Sequence, residues 1–233
     1  MDTKRIGRRE AIGMMGAAGA AIALGCGSSP AAPSTTVQAA GAAAGGSTNA
    51  ACAVTPAETA GPFPSLTHLF RSDIRDGKPG ALLNLGIKVV NTNAGCAPVS
   101  DANVEIWHVD AAGNYSEYGS QTTQNFLRGI QTTNGSGDVT FTTIFPGWYQ
   151  GRATHIHIEV TIGGTSRKVT QIAFPESVNN TVYGSGVYAA RGTNPMANAS
   201  DGIFADSLSS ELVIPTGDPA TGYTANVQVA IAL

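Results

Sequence analysis

Charge is scarce in this chain of 233 residues: 12% of positions are Asp, Glu, Lys or Arg, and the formal net charge is -3. Beyond the N-terminal Lys4, Arg5, Arg8 and Arg9 no basic cluster occurs, which argues against a nucleic-acid partner. Helix signals are few as well. Runs of Val, Ile, Thr and aromatic residues are broken at short intervals by Gly, Asn, Pro and Asp, the pattern of an all-β sandwich. Long apolar runs are missing too: the uncharged stretch from Ala11 to Gly25 holds about 15 residues, against the roughly 20 that a spanning helix needs. No internal repeat is apparent.

What the N-terminus does have is the basic-then-apolar order of a secretory signal peptide. The pair Arg8-Arg9, within Gly-Arg-Arg-Glu-Ala-Ile-Gly, resembles a twin-arginine export signal. Residues 1–26 are therefore expected to direct export. Residues 27–50 are rich in Ala, Gly, Ser, Pro and Thr and read as a flexible linker, because they cannot bury enough apolar surface to order themselves. Cys26, at the junction, resembles the lipid-modified cysteine of bacterial lipoproteins; cleavage nearby by an ordinary signal peptidase would remove it. The expected location is thus outside the cytoplasm: periplasmic, tethered to the membrane as a lipoprotein, or secreted. From residue 51 to 233 the chain is long enough for one domain with a sizeable core. An oxidising compartment permits Cys52 and Cys96 to pair, the alternative being two independent buried thiols.

Strands are expected at 82–90, 104–109, 138–144, 155–162, 166–174 and 223–233, with hairpin turns at 135–137 and at Gly163-Gly164. The most informative segment follows the third of these strands and runs into the fourth: Phe145-Pro-Gly-Trp-Tyr-Gln-Gly-Arg-Ala-Thr-His-Ile-His-Ile-Glu-Val160. The chain has four histidines, and two of them, His155 and His157, stand two apart in a β-type run. In a strand such residues share a face about 6 to 7 Å apart, so both can reach one ion while Ile156, Ile158 and Val160 pack inward.

Two tyrosines join them. Glu105-Ile-Trp-His-Val-Asp-Ala-Ala-Gly-Asn-Tyr-Ser116 alternates as a strand and then turns at 110–113, presenting Tyr115. Pro146-Gly147 forces a second turn that presents Tyr149. Phenolate and imidazole together suit a hard, highly charged ion, since a bound trivalent metal lowers a phenol pKa near 10 enough for the anion to persist at neutral pH. Zinc usually recruits Cys, His or carboxylate, and calcium takes carboxylates and carbonyls, so ferric iron is the better candidate. A copper or zinc site on the His pair alone would leave the tyrosines unexplained.

Together these segments resemble the intradiol ring-cleavage dioxygenases, the family of catechol and protocatechuate dioxygenases. The resemblance extends from Thr55-Pro-Ala-Glu-Thr-Ala-Gly-Pro-Phe63 through Arg71-Ser-Asp-Ile-Arg75 to Gln171-Ile-Ala-Phe-Pro175. It implies a β-sandwich whose long loops form the metal site, with Fe(III) as the cofactor and a catechol-type molecule and O2 as substrates. Tyr115, Tyr149, His155 and His157 match the family's four iron ligands, and Tyr149 matches the one that takes a substrate proton. Arg152 matches an arginine that stabilises negative charge on the bound catechol, and Gln171 a glutamine near the site. Gly61, Pro62 and Phe63 match a substrate-facing segment. The reaction implied is opening of the ring between its two hydroxyl-bearing carbons to a muconate-type diacid.

Two departures qualify the match. Only Gln-Gly-Arg-Ala-Thr separates Tyr149 from His155, where catechol and protocatechuate members carry a longer insertion, which predicts a more open pocket. Residues 59–64 read Thr-Ala-Gly-Pro-Phe-Pro where the family commonly has Glu-Gly-Pro-Tyr. Substituents on the catechol and a homo-oligomeric state are left open. The competing reading is an exported β-sandwich that binds a sugar, an aromatic or a protein without catalysis. His108 alternates with Val104 and Ile106 and is expected to be structural, and His68 lies in a loop-like stretch with no partner motif.

Overall fold

A computed structural model describes residues 52–233; the expected export signal at 1–26, the linker at 27–50 with Cys26 in the signal's last position, and residue 51 lie outside the described residues. In the first sheet β1 (Leu82–Asn91) is the axis. Its burial alternates, with Leu83, Leu85, Ile87 and Val89 inside, as an amphipathic strand dictates. On one side β9 (Gly222–Ile231) runs parallel to it. On the other side β5 (Asp138–Ile144) runs antiparallel along Leu82 to Lys88, and the short β2 (Ala97–Pro98) continues that side at Val90 and Asn91. A further short strand, β8 (Thr216–Asp218), pairs with β9.

The second sheet is antiparallel, in the order β4 (Arg128–Thr132), β3 (Asn103–Trp107), β6 (His155–Ile162), β7 (Thr165–Ala173). Val104, Ile106, Ile156, Ile158, Val160 and Ile172 join Leu83, Leu85, Val139, Phe141, Ala225 and Val229 in one core between the sheets. The architecture is therefore the expected all-β sandwich. Burying this many aliphatic side chains supplies most of the stabilisation, at about 1.5–3 kcal/mol for each one fully removed from water.

The outer face of the four-stranded sheet is not left to solvent. Loops 108–127 and 145–154 fold against it, and residues 58–71 cross it from edge to edge. Glu58 N–H donates to the Val169 carbonyl of β7 (2.9 Å) at one edge. Arg71 N–H donates to the Ile130 carbonyl of β4 (3.0 Å), and Ile130 N–H to the Leu69 carbonyl (2.8 Å), at the other. Cys52 is disulfide-bonded to Cys96, with Cα atoms 5.6 Å apart, which ties the start of this segment to the end of β1.

Several expectations need correction. The turn at 135–137 does form, with Gly137 N–H donating to the Asn134 carbonyl (2.9 Å), but it is no hairpin: it carries the chain from β4 in one sheet to β5 in the other. Gly163-Gly164 is a two-residue hairpin, both at positive φ (57° and 78°), closing β6 onto β7. The strand expected at 104–109 stops at Trp107. A helix, α1 (Glu176–Tyr183), was not expected; it has no side-chain N-cap, and it is held by burial of Val182 and Tyr183. A single turn, α2 (Leu208–Glu211), follows later.

Candidate active site

Cross-strand register sets the floor of the site. Arg128 of β4 pairs with Trp107 of β3, Trp107 with His157 of β6, and His157 with Gln171 of β7. Directly opposed residues in antiparallel strands share a face, so one row of four polar or aromatic side chains spans the outer face. Within it the Trp107 ring lies parallel to the His157 imidazole, 4.8 Å between centroids and 2° between planes. His155, two residues earlier on β6, shares that face, as expected of an i, i+2 pair.

Each tyrosine is placed by its own turn. Asp110 accepts from the N–H groups of Ala112 (3.0 Å) and Asn114 (2.9 Å) through one carboxylate oxygen, forming an Asx turn, and Lys78 pairs with the other oxygen at 3.0 Å. Tyr115 follows directly. The turn bearing Tyr149 packs against this one at two glycines: a Cβ on Gly147 would collide with the Asp110 carbonyl, and one on Gly113 with the Trp148 carbonyl. Only glycines allow the two loops to approach this closely.

The four side chains meet. His155 Nε2 and His157 Nε2 are 3.1 Å apart, and the Tyr115 hydroxyl is 3.5 Å from His155 Nε2. The Tyr149 ring stands edge-on to both Tyr115 and His155, at 5.6 Å in each case. Tyr115, His155 and His157 are buried, and Tyr149 is half-buried.

Protonation follows from the partners. His155 Nδ1 lies 2.6 Å from the Ala153 carbonyl, which can only accept, so Nδ1 carries the hydrogen and Nε2 presents a lone pair. Burial, reinforced by Arg152, drives His155 down to about 3. Burial and then His155 hold His157 well below its ordinary value, with the Thr59 carbonyl pulling weakly the other way. Its Nδ1 is buried without a hydrogen bond of normal geometry. Both imidazoles are thus neutral at pH 7, as metal ligation requires. Burial first, then Tyr149, pushes the Tyr115 phenol well above its ordinary value of 10, while Arg152 and Arg128 act in the opposite sense. A neutral pocket with a lone pair aimed at a second ring nitrogen and two phenols converging on it fits a cation that would bind both nitrogens and ionise the phenols. Among the described residues no group of three or more His, Cys, Asp or Glu is placed to hold a metal; the donors here are phenol and imidazole.

Arg152 and Gln171 flank this centre. Arg152 donates through Nε to Asp201 Oδ2 (2.8 Å) and through Nη2 to Gln171 Oε1 (2.6 Å). Gln171 Nε2 donates onward to the Thr59 carbonyl (2.8 Å). Asp201 also accepts from Ala153 N–H (2.7 Å), which fixes the residue before His155's own turn into the strand. Of the substrate-facing candidates, Gly61 passes against His157, where a Cβ would lie 3.3 Å from Cε1. Phe63 stacks on Tyr115 at 4.8 Å, and Pro62 is exposed. A pocket of about 210 Å³ opens beside the phenols, lined by Phe63, Asn114, Tyr118 and Gln121 with Tyr115 and Tyr149. That is below the roughly 300–1,000 Å³ of sites for drug-sized ligands and suits a single small ring.

Sequence reasoning left four residues out. Arg128, Trp107 and Asp201 touch the site through register or through a loop distant in sequence, and Tyr118 lines the pocket. Only Trp107, inside Ile-Trp-His, stood in a segment already singled out. His108 is structural as expected: it is fully buried and bridges the sheets through Nε2 to Thr143 Oγ1 (2.7 Å). His68 does have a partner, Glu105 Oε2 at 2.9 Å.

A family model described as dioxygenase matches residues 64–193. An intradiol ring-cleavage dioxygenase from Tetranychus urticae is 30% identical, with a TM-score of 0.72, over 78% of this chain and 95% of that one. The dioxygenase domain of a dioxygenase carbohydrate-binding fusion from Streptomyces sp. SirexAA-E is 22% identical over 78% of this chain and 99% of its own, with a TM-score of 0.59. For 3-chlorocatechol 1,2-dioxygenase from Rhodococcus opacus 1CP the values are 21% identity, 76% and 72% coverage, and a TM-score of 0.56. The last two show the shared fold. Curated proteins give no match.

Proposed function

Since the chain belongs to the intradiol ring-cleavage dioxygenases, we propose that it opens a catechol-type ring between the two hydroxyl-bearing carbons with O2, giving a muconate-type diacid, at an Fe(III) centre held by Tyr115, Tyr149, His155 and His157. The observation that carries this reading is the convergence of those four side chains, with the two Nε2 atoms 3.1 Å apart and the Tyr115 hydroxyl 3.5 Å from one of them. Family membership makes the chain an oxidoreductase of the dioxygenase class, and the non-catalytic binding module has no observation in its favour.

Ferric iron bound there would serve as a Lewis acid that draws both catechol oxygens into anionic form and leaves the ring electron-rich enough to react with O2. The chain's own residues do the rest. Tyr149, half-buried at the pocket edge, would as a phenolate accept one of the two catechol protons at its oxygen, the other leaving to solvent. Arg152 is locked between Asp201 and Gln171, so its charge is fixed before substrate arrives and can oppose negative charge on the catechol oxygens without reorganising. Phe63 and Tyr118 shield one side from water. One catechol and one O2 give one diacid, with no reductant consumed.

The test is oxygen uptake and ultraviolet product formation by the iron-loaded protein with catechol. Equimolar uptake and muconate-type product are expected, with kcat falling about 10²- to 10³-fold in Arg152→Gln. Absence of turnover in the iron-loaded wild type contradicts the proposal. The basic-then-apolar N-terminal sequence supports an exported location for this activity, checked by assaying membrane, periplasm and medium separately.

A further inference from the structure

Residues 58–71 need something to hold them over the site, because the stretch contains no helix, no strand of its own and two prolines, Pro62 and Pro64, that cannot donate. One pin is Gln171, whose amide reaches the Thr59 carbonyl. The other is Arg128, a guanidinium 1% exposed that takes no part in the chemistry above. Its Nε donates to Ser116 Oγ (2.9 Å), its Nη2 to the Ser116 carbonyl (2.8 Å), and its Nη1 to the Phe63 carbonyl (2.9 Å), with Ser65 Oγ at 3.5 Å. Glu117 is its counter-ion at 3.4 Å, and that carboxylate also accepts from Leu66 N–H (2.6 Å) and from Thr67 N–H (3.2 Å). The guanidinium lies 5.6 Å from the Tyr115 ring centre and 5.4 Å from that of Tyr118.

One planar fork therefore joins three things: the crossing segment, the Tyr115 loop and a floor strand. Arg128 and Gln171 stand at opposite ends of the same cross-strand row, with Trp107 and His157 between them. Between the two pins, Gly61 passes His157 and the Phe63 ring comes to rest on Tyr115. We propose that Arg128 is a positioning residue that clamps residues 58–67 across the site, so that Phe63 is held as one wall of the substrate pocket. Lysine cannot replace it, because a single ammonium has neither the fork nor the reach to bond Ser116 and Phe63 at once. A buried charge of this kind is costly to desolvate, and it is tolerated here because each of its three nitrogens has an acceptor and its counter-ion is beside it.

The kinetic arm of the test rests on the dioxygenase reading; the exchange arm does not. Hydrogen exchange at the Leu66 and Thr67 amides and catechol kinetics are measured in the wild type, Arg128→Lys and Phe63→Ala. In Arg128→Lys both amides should exchange about tenfold faster or more and KM should rise about tenfold, the scale of one lost charged hydrogen bond, with kcat within about threefold. Phe63→Ala, which keeps the clamp and removes only the ring, should raise KM similarly with exchange unchanged. Wild-type exchange rates in Arg128→Lys, or an unaltered KM in Phe63→Ala, overturn the proposal. If Arg128→Lys does not fold, the Phe63→Ala arm still decides whether the wall exists. A wild type that protects these amides but does not turn over catechol refutes the dioxygenase reading and leaves the clamp to the exchange arm.

Discussion

At the scale of residues, the histidines divide by what their nitrogens meet. His155 and His157 point their Nε2 atoms at each other, 3.1 Å apart, with the Tyr115 hydroxyl 3.5 Å from His155 Nε2, a convergence of donor atoms that a shared cation would complete. His108 instead spends both nitrogens on the protein, at Val109 and Thr143. Burial, with Arg128 adding and the Val109 carbonyl opposing, drives His108 down to about 4 from an ordinary 6.5. The unfolded chain therefore takes up a proton first as pH falls, and stability that is full above 6.5 is lost progressively down to about 4. His108→Gln should be destabilised at pH 7.5 by the loss of the inter-sheet bond, and its deficit relative to wild type should shrink at pH 5; urea midpoints at the two pH values check this, and a constant deficit contradicts it. The four candidate ligands were legible because they are written locally: His-x-His, and a tyrosine after each of two turns. Arg128 and Asp201 were not legible, since a lone Arg or Asp in a polar stretch acquires meaning only from register or from a loop some 49 residues away.

At the scale of elements, the β6–β7 hairpin sets the register that puts Gln171 beside His157. Its turn needs two left-handed residues, and Gly163-Gly164 supplies them. Gly164 has nothing within 4 Å of where a Cβ would stand, so Gly164→Ala tests backbone strain alone. It should cost about 1–2 kcal/mol, whereas Gly135→Ala, equally uncrowded but not at positive φ, should be near neutral; denaturant midpoints compare the two. The six expected strands are all present, because period-two alternation survives in β1 and β6. The short strand β4 was missed for a physical reason. Gly129 sits in it because Ile74 Cγ2 would lie 2.5 Å from any Cβ there, and a glycine beside an arginine hides the strand pattern. The helix α1 was hidden likewise by its two asparagines and missing cap, and tertiary burial decides it.

At the scale of the whole molecule, the disulfide between Cys52 and Cys96 closes 44 residues of sequence at the root of the segment that roofs the site. By chain entropy this is worth about 4 kcal/mol, so reduction should lower the melting temperature by about 10 °C. Calorimetry with and without reductant checks it, and an unchanged transition would mean the crossing segment is held by its hydrogen bonds alone. The sandwich, its loops and this covalent tie together deliver phenols and imidazoles to one point on the outer face of the four-stranded sheet, and the central claim is that this point holds ferric iron. The most direct test is the visible absorption spectrum of the protein after ferric loading, with catechol then added under nitrogen. A tyrosinate-to-iron band that shifts on adding catechol, and that weakens in both Tyr115→Phe and Tyr149→Phe, is the predicted result. A protein that stays colourless after ferric loading would contradict it.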